Sequence, residues 1–482
     1  MGRAKPAAAE GSITGADFLQ LDIGEAPPGG LADWLTEQLR RAVADGRLPV
    51  GTRLPATRVL AGELRVSRGV VTEAYRRLIE DGQAAGRGRG GTVVLAAPVS
   101  AEPAAPEPQP AVFVGEPGLD VLDSLRTIPA RIDLSPGVPD LAAFPRAAWL
   151  RAERKVLDGL SPAAFGYGDP RGAPAFRDAV ANWLARNRGI RVRPDEVIVV
   201  AGVAQALALL AQVLRDKGIG EIAVEDPGSL GARRHLESWG MATTPVPVDD
   251  GGVVVSRLNA PAVLLTPAHQ FPTGVVLDGQ RRRELLSWAE SGGLIIEDDY
   301  DAEHRYDRPP VPALRSMLAE RVCYAGSVSK LLAPALRVGW LVVPRRYFRE
   351  TVAAKRDTDL GNAVLPQLVL AELMTSGELE RQLRLLRRRH QRRRDAMIAA
   401  LRRFLPEATV HGAAAGLHLM VTFGPEMSDV DVAEAALSRG VKVQPLSWHR
   451  QLPGPPGLVL GYAARSAGEI EEGIEVLGAL MR

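Results

Sequence analysis

Near the N-terminus, apolar residues recur at intervals of three and four, which is the spacing of amphipathic helices. This pattern predicts a helix over residues 31–46, a short helix over Ala56–Leu64 and a third helix that runs to about Ile79. Ser67 precedes the third helix and is a residue type that commonly caps a helix N-terminus. Residues 86–94, GRGRGGTVV, then predict a basic hairpin.

The third helix has two faces when its residues are spaced at about 100° each. Its buried face is predicted to contain the apolar residues Val70, Val71, Ala74 and Leu78. Its outward face is predicted to contain Arg68, Gly69, Thr72 and Arg76. Two helices, an outward basic helix and a hairpin form the order of elements in a small α+β winged helix-turn-helix domain.

Positive charge is concentrated in this segment, although the whole chain has a formal net charge of only +2. Between Arg47 and Thr92 there are nine Arg and four acidic residues, an excess that can neutralise DNA phosphates. The predicted DNA contacts are Arg58, Ser67, Arg68, Gly69, Thr72, Arg76, Arg87 and Arg89. The alternative is a small helical interaction domain with a solvated charged face.

After residue 128, β-rich apolar runs alternate with helical patterns, which predicts an α/β architecture with a mostly parallel sheet. The runs are Val197–Val200, Glu221–Val224, Ala262–Leu265, Leu294–Ile296 and Val322–Ala325. Residues 98–128 are rich in proline and predict a linker. The predicted organisation is a tail over 1–28, a winged-helix domain over 29–97, the linker over 98–128, and a large domain over 129–482.

Other features of the chain exclude several classes of protein. Residues 197–214 are almost entirely apolar, but a glycine and two glutamines interrupt them, so we expect a buried strand and helix there and not a membrane span. The N-terminus lacks the apolar stretch of a secretory signal, and we expect a cytoplasmic protein. Cys323 is the only cysteine, which excludes a disulfide framework. His411, His418 and His449 are isolated, so we expect no metal site.

Lysine is rare, since the 59 basic residues comprise 53 Arg and only six Lys. Among the six, Lys330 lies in the segment YAGSVSKLLAPALRVGW, where apolar neighbours would desolvate its amine. Desolvation lowers the pKa of a lysine and allows it to form a Schiff base with an aldehyde. Ser327, Ser329 and Arg337 in the same segment have side chains that suit a phosphate.

Two further segments carry groups that suit the same ligand. The strand Leu294–Ile296 leads into Asp298, and an acid at the carboxyl end of a parallel strand can keep a pyridine nitrogen protonated. Tyr300 lies on the same face two residues later and can bond a 3-hydroxyl group. A second strand leads into a helix that starts at Val203 and Ala204, whose backbone N–H groups can hold an anion. Each feature alone is commonly structural, but their order and separation favour one site.

These motifs match known families. The small domain closely resembles the GntR family of bacterial winged-helix regulators, through an LPxTR turn, a VSRxxV helix start and an AYxxL continuation in that order. The large domain resembles the fold-type I aminotransferases in segments such as FGYGDPRG (165–172), IEDDYDAEHRYD (296–307) and GSVSKLLAPALRVG (326–339). The whole chain is therefore similar to the MocR/GabR-like family, in which a linker joins the two kinds of domain. This resemblance implies a large α/β domain that binds pyridoxal 5′-phosphate, and a homodimer on two-fold related operator DNA.

The resemblance also implies roles for individual residues. The implied cofactor contacts are Lys330 (Schiff base), Asp298 (pyridine nitrogen), Tyr300 (3-hydroxyl), and Arg337 with Ser327 (phosphate). Phe271 stands where aminotransferases carry an Asn beside the cofactor hydroxyl. This leaves His269 or Gln270 as the polar substitute for that Asn.

Two departures from the family pattern favour sensing over catalysis. Ser229 stands where family members commonly carry an aromatic residue that stacks on the cofactor ring. Val459 stands where aminotransferases carry the arginine that binds the substrate carboxylate, and Arg465 is nearby but out of register. We therefore expect a transcriptional regulator that senses pyridoxal phosphate (vitamin B6 control), or an amine or amino acid through it. The alternatives are an active aminotransferase with an accessory DNA-binding module, and a domain that has lost the cofactor and only dimerises.

A second basic segment lies far from the winged helix. Eight arginines occur in the fourteen residues from Arg381 to Arg394, and the apolar residues among and after them predict one long helix. We favour a solvated basic face for this helix. The alternative is a contact with the DNA backbone or with the partner's small domain.

Overall fold

The structure is a computed structural model that describes residues 21, 23–27, 29–95, 112–113, 117–306, 311–412 and 415–482. The chain divides into two compact units, residues 1–109 and 110–482. Most of the predicted tail and much of the predicted linker lie outside the described residues.

The first unit contains the elements that the apolar pattern predicts. Its elements are α1 (Leu31–Ala44), α2 (Thr57–Glu63), α3 (Arg68–Glu80), and the antiparallel strands β1 (Ala84–Gly86) and β2 (Thr92–Val94). Ser67 caps α3 as predicted, because its hydroxyl accepts a hydrogen bond from the backbone N–H of Val70 at 3.4 Å. Val71, Ala74 and Leu78 are buried as predicted, whereas Val70 is only half-buried and Tyr75 takes the remaining core position.

The predicted linker over 98–128 is wrong at its C-terminal end. Residues Leu119–Thr127 form a helix, α4, that packs on the second unit through Leu122 and Leu125. The last proline before this helix is Pro117, so the chain beyond it is free to place apolar side chains at helical spacing. The helix belongs to the second unit, as a docked element.

The second unit is built on an eight-stranded sheet in the order β4-β11-β10-β9-β8-β5-β6-β7. The strands are β4 (Ile198–Val200), β5 (Glu221–Asp226), β6 (Ala242–Asp249), β7 (Gly252–Val253), β8 (Ala262–Leu265), β9 (Leu294–Asp299), β10 (Val322–Ser327) and β11 (Gly339–Val342). All pairings from β10 through β6 are parallel, whereas β11 is antiparallel to both its neighbours. The predicted mostly parallel sheet is confirmed.

Helices cover both faces of this sheet and bury separate apolar clusters against it. They are α5 (Arg146–Gly159), α6 (Pro174–Arg188), α7 (Val203–Asp216), α8 (Leu230–Ser238), α9 (Gly279–Glu290), α10 (Arg345–Asp359) and α11 (Val364–Thr375). The apolar stretch 197–214 forms β4 and most of α7, as predicted. Among the described residues, no helix combines the length and the apolar character needed to cross a membrane.

The C-terminal part adds a four-stranded antiparallel sheet in the order β12-β13-β16-β15. Its elements are α12 (Glu378–Phe404), β12 (Thr409–His411), β13 (His418–Thr422), α13 (Asp429–Ser438), β14 (Val441–Lys442), β15 (Gln444–Pro445), β16 (Gly457–Gly461) and α14 (Ala467–Leu480). A short strand β3 (Ile132–Asp133) pairs in parallel with β14. An early segment of the second unit is thereby hydrogen-bonded to its C-terminal part.

Helix α12 confirms the single long helix predicted over Arg381–Arg394, but its basic face is not uniformly solvated. Four of the eight arginines are exposed: Arg381, Arg384, Arg388 and Arg392. The others are half-buried, and Arg389 and Arg393 both contact the buried Asp140 carboxylate at 2.8 Å. Half of the positive charge therefore holds the helix against the body of the unit.

Candidate functional site

The outward face of α3 matches the prediction residue by residue. Arg68, Gly69, Thr72 and Arg76 are all exposed, and so are Ser67, Arg58 and Arg87. Arg89 lies in the tip of the hairpin, but its side chain is outside what the structure describes. The face therefore presents small and basic residues of the kind that approach a DNA groove.

The two arginines of this face have different surroundings. Arg68 donates to the Thr57 hydroxyl at 3.2 Å, which joins the starts of α2 and α3. Arg76 is held by two carboxylates of its own helix, Glu73 at 2.5 Å and Glu80. DNA phosphates must therefore compete with these acids for Arg76.

Tyr75 is a structural residue of this domain that the sequence prediction did not single out. Its hydroxyl donates to the backbone carbonyl of Pro55 at 2.9 Å. This bond ties the middle of α3 to the LPxTR turn before α2, so the orientation of the two helices depends on it. The AYxxL motif contains this tyrosine and was the available signal.

In the second unit, a pocket opens at the carboxyl ends of β5, β8 and β9. Residues that line it include Glu225, Ser229, Thr266, Phe271, Asp298 and His449. The Asp298 Oδ1 atom is enclosed and has no hydrogen-bond partner among the described residues. Burial, together with the nearby Asp299 and Asp301 charges, raises the pKa of Asp298 to about 8, although Lys330 acts in the opposite direction. Within the part of the chain that the structure describes, no cationic side chain donates a hydrogen bond to this carboxyl group.

Lys330 follows β10 and reaches towards the same acid. Its Nζ donates to the Gly137 carbonyl oxygen. Gly137 has φ +77°, which favours glycine, and a Cβ there would lie 2.9 Å from Nζ, so a side chain would crowd the amine. Burial lowers the pKa of Lys330 to about 8. About a tenth of the amine is therefore unprotonated, and nucleophilic, at pH 7, far more than for an ordinary lysine.

The predicted phosphate ligands meet at the start of α7. Arg337 donates to the Ala201 carbonyl oxygen, and a Cβ on Gly202 would lie 3.4 Å from its guanidinium. Gly339 brings Gly202 and Ser327 together. A Cβ on Gly339 would lie 3.1 Å from Gly202 Cα and 3.1 Å from Ser327 Cβ. The other two predicted residues, Ser327 and Ser329, bond each other. Ser327 is buried, and its Oγ accepts a hydrogen bond from the backbone N–H of Ser329 at 3.4 Å.

The N–H groups of Val203 and Ala204 belong to the first turn of this helix, where backbone donors have no partner within the helix. These backbone N–H groups and the Arg337 guanidinium beside them make the electrostatic potential at the start of α7 positive. Strand ends and a loop from distant parts of the sequence thus bring together groups of the kind that hold an anion.

Tyr300 is supported by a buried histidine. Its hydroxyl donates to the His269 backbone carbonyl at 3.0 Å and lies 3.1 Å from His269 Nδ1. The same Nδ1 is 2.9 Å from the Asp301 carboxylate. His269 is therefore placed to orient the tyrosine from behind.

Gln270 is not the polar substitute that the sequence left open. Its amide nitrogen donates to the Pro227 and Phe271 carbonyls, at 2.8 and 2.6 Å. Its oxygen accepts from the backbone N–H and the hydroxyl of Thr273, at 3.0 and 2.6 Å. These bonds hold its own turn, so the amide has no bonding capacity left for a ligand. Phe271 itself lines the pocket.

Aromatic surfaces occur in the pocket although Ser229 does not supply one. Ser229 caps α8 by accepting from the Ala232 N–H at 3.2 Å. The rings of Phe271 and His449, which both line the pocket, lie 5.0 Å apart at an interplanar angle of 83°. The family resemblance had placed Phe271 beside the cofactor, whereas His449 was predicted to be isolated, because it comes from a loop far away in the chain.

Val459 lies in an apolar cluster with Met420 and Leu446, against Phe271. All three are buried, so Val459 itself offers a ligand an apolar surface and no charge. Arg465, the nearby arginine, instead bonds Glu469 at 3.3 Å.

His418 is not isolated, contrary to the prediction. Its ring lies 5.0 Å from that of His269, and one ligand atom each from His269, Asp301 and His418 fall within 4.8 Å of one another. His269 and Asp301 already bond each other, and His418 Nε2 lies 3.2 Å from the Pro272 carbonyl. These three side chains therefore form a buried polar cluster that contacts Tyr300 through His269.

Known proteins resemble both parts of the chain. The gntR family of bacterial regulatory proteins matches residues 31–94, and the class I and II aminotransferase family matches residues 130–477. Kynurenine aminotransferase of Pyrococcus horikoshii has a similar structure, with a TM-score of 0.68 and 27% identity, over 75% of this chain and 93% of that one.

Two regulators match nearly the whole chain. A probable rhizopine catabolism regulatory protein, MocR of Rhizobium meliloti, is 34% identical over 463 residues, which cover 92% of each chain. The HTH-type pyridoxine biosynthesis transcriptional regulator PdxR of Corynebacterium glutamicum is 33% identical, over 92% of this chain and 95% of that protein. The chain therefore belongs to the MocR-like family of DNA-binding transcriptional regulators, in which a GntR winged helix precedes an aminotransferase class I and II domain.

Proposed function

We propose that the second unit binds pyridoxal 5′-phosphate and that its occupancy changes the affinity of the winged helix for operator DNA. The enclosed, partnerless Oδ1 of Asp298 carries this proposal. A buried acid without a donor is costly unless a ligand supplies one, and a protonated pyridine nitrogen is such a donor. When bound, the cofactor supplies an aldehyde that condenses with amines and a ring that withdraws electrons.

The residues of the pocket each have a task in holding this ligand. Asp298 keeps the ring nitrogen protonated, and a cation at that position stabilises its ionised form. Tyr300, whose hydroxyl donates to the His269 carbonyl, would accept a hydrogen bond from the ring hydroxyl. Arg337 and the first N–H groups of α7 bind the phosphate. Lys330 would supply the amine for the cofactor's aldehyde, because its lowered pKa leaves it partly unprotonated.

The apolar environment of Val459 favours sensing over turnover. An aminotransferase must orient its substrate carboxylate for proton transfer, and the valine offers no charge for this purpose. We propose that the ligand is the cofactor itself or an amine bound through it. An active aminotransferase with an accessory DNA-binding module remains the second candidate, and the preserved lysine, acid and tyrosine favour it.

We also propose that the protein acts as a homodimer in the cytoplasm, on an operator with two-fold symmetry. Three exposed apolar or aromatic side chains between residues 150 and 167 of the second unit support dimerisation. Tyr167 is 96% exposed, Phe165 62% and Leu150 64%. Such side chains mark a surface that a second copy can cover.

DNA binding at one fixed salt concentration tests the proposal. The DNA is the region upstream of the protein's own gene, and the proteins are the full-length wild type, Lys330→Ala, and the control Lys155→Ala. Lys155 is an exposed lysine that pairs with Glu372 at 2.7 Å and is not among the residues that line the pocket.

We expect pyridoxal phosphate to change the DNA affinity of the wild type and of Lys155→Ala by about tenfold, a typical coupling of roughly 1–2 kcal/mol. Lys330→Ala should show no response. If the wild type binds the cofactor, as its absorbance reports, yet DNA affinity is unchanged, the cofactor is not the signal by itself. A turnover assay with a panel of amino donors then decides whether the second candidate applies.

A further inference from the structure

A buried lysine lies behind the start of α7, where the predicted phosphate ligands meet. Lys355 belongs to α10, and its side chain is fully buried. Its Nζ lies 2.5 Å from the carboxylate of Asp359, one turn later on the same helix, and 3.1 Å from the side-chain oxygen of Gln205. A buried cation is costly unless it is paired and hydrogen-bonded, so these two partners define the position of the amine.

Gln205 joins this ion pair to the first turn of α7. Its side-chain oxygen accepts from the backbone N–H of Ala201 at 2.7 Å as well as from Lys355. Its side-chain nitrogen donates to the Asp359 carboxylate at 2.7 Å. Because the oxygen faces two donors and the nitrogen faces an acceptor, only one orientation of the amide satisfies all three contacts. Gln205 is therefore held by α10 although it belongs to α7.

These contacts fix the backbone just before α7. The N–H of Ala201 bonds Gln205, and the carbonyl oxygen of Ala201 accepts from the Arg337 guanidinium. The next residue, Gly202, has φ +92° and occupies the N-cap position of the helix. The first N–H groups of α7 follow directly, so their direction depends on how these two residues are held. The ion pair behind Gln205 thus acts on the backbone donors that suit a phosphate.

The ion pair adds little net charge to this place. Lys355 and Asp359 have opposite charges 2.5 Å apart, which largely cancel each other at the distance of a ligand. The Asp359 carboxylate is itself fixed, because it also accepts from the backbone N–H of Gly361 at 2.9 Å. The effect of the pair on the start of α7 is therefore one of position and not of net attraction.

We propose that Lys355, Asp359 and Gln205 are positioning residues for the phosphate group of the cofactor. They act through the backbone that precedes α7, since they bond each other and Ala201. This inference rests on the proposed function, in which the first N–H groups of α7 and Arg337 bind the phosphate. The three residues should therefore contribute to the affinity for the phosphate group and not to the affinity for the ring and the aldehyde.

The test compares pyridoxal phosphate with pyridoxal on the full-length, cofactor-free protein. Both ligands carry the ring and the aldehyde, and only one carries the phosphate, so the ratio of their affinities measures what the phosphate contributes. The absorbance of the ligand reports each affinity at one fixed pH and salt concentration. We expect the wild type to bind pyridoxal phosphate more tightly, because a phosphate forms charge-assisted hydrogen bonds.

Two variants assign this ratio. Lys355→Met and Gln205→Met should each lower it by about tenfold, the effect of one charge-assisted hydrogen bond, while the affinity for pyridoxal stays within about twofold. Methionine is unbranched like both side chains but forms none of their strong hydrogen bonds. Lys217→Met is the matched control and should keep the wild-type ratio. Lys217 follows α7 directly and pairs with Glu350 of α10 at 2.6 Å, so it joins the same two helices at the opposite end of α7.

Four results would overturn the inference. If Lys355→Met loses affinity for both ligands alike, the lysine supports the fold in general. If Lys355→Met lowers the ratio and Gln205→Met does not, the lysine acts through its charge and not through α7. Unchanged ratios in both variants would show that the start of α7 is held without them, and a wild type that binds both ligands equally has no phosphate contribution to lose. A wild type that binds neither ligand is a different result, since it contradicts the proposed function itself.

Discussion

The two functional regions of this protein differ in where their charges lie. On α3, Arg68 and Arg76 are exposed, so their attraction to DNA is long-range and screened by salt. In the pocket, the Oδ1 atom of Asp298 is enclosed, and burial raises the pKa of this carboxyl group to about 8. Each exposed charge adds a small amount to the DNA affinity, and salt reduces that amount. The ionisation of a buried acid instead depends on one opposite charge or donor in direct contact with it. Substitutions in the two regions should therefore differ in kind.

The largest effect should come from Asp298→Asn. The amide keeps the shape of the acid but cannot hold a proton on the ring nitrogen, so we expect the affinity for pyridoxal phosphate to fall by about 10- to 100-fold, the worth of a hydrogen bond to a charged group. Cofactor titration by absorbance measures it. Asp216→Asn, a change at an exposed acid, is the control and should bind like the wild type.

The same substitution should change the pH dependence of stability. Between about pH 4 and pH 8 the folded, cofactor-free protein keeps a proton on Asp298 that the unfolded chain has lost, so its stability falls as the pH rises through this window. Asp298→Asn removes this contribution, and the fall in Tm from pH 5 to pH 8 should be smaller. It should not vanish, because burial also raises the pKa of Glu225 and Glu297 to about 7. An unchanged slope would mean that Asp298 is ionised without the cofactor.

An intermediate effect is expected where α4 meets the pocket wall. Leu125 is 1% exposed, and Leu125→Ala should weaken the docking of α4 by about 2–5 kcal/mol. We expect nearly normal cofactor affinity but a DNA affinity that no longer responds to the cofactor. Leu157→Ala on α5, at a residue 42% exposed, is the control. A Leu125→Ala protein with an intact DNA response would show that α4 does not transmit the signal.

A smaller, salt-dependent effect is expected on α3. Arg68→Ala should weaken DNA binding by roughly tenfold at low salt and reduce the slope against salt concentration by about one. Arg76→Ala should have a smaller effect, because Glu73 and Glu80 already hold that side chain. Both variants should bind the cofactor normally. Equal losses for the two arginines would show that DNA displaces the helix's own acids without cost.

The smallest effect should come from Tyr75→Phe. It removes only the hydroxyl bond to Pro55, and we expect the first unit to lose about 0.5–1.5 kcal/mol of unfolding free energy. Chemical denaturation followed by circular dichroism measures this. Cofactor binding in the second unit should not change, and a change there would argue against the independence of the two sites.

The sequence alone was a good guide wherever local forces decide the structure. The apolar spacing that predicts α3 and the hydroxyl that caps it act within a few residues, so the helix and its outward face could be predicted. The β-rich runs were predicted because strands buried on both faces need continuous apolar residues. Lys330, Asp298 and Tyr300 could be proposed because each immediately follows such a strand or lies close to its end.

Only the tertiary structure decided which distant side chains meet. Nothing in the residue pattern indicated that the Gln270 amide is engaged by its own turn, that His418 lies beside His269, or that α4 docks beside Trp448. Each of these depends on loops brought together by the sheet order, and no local pattern encodes that order. The sequence by itself therefore determined the two domains and their chemistry, because patterning and residue type act locally. The fold decided how the pocket is walled and where α4 docks beside it, because those contacts form only when the sheet assembles.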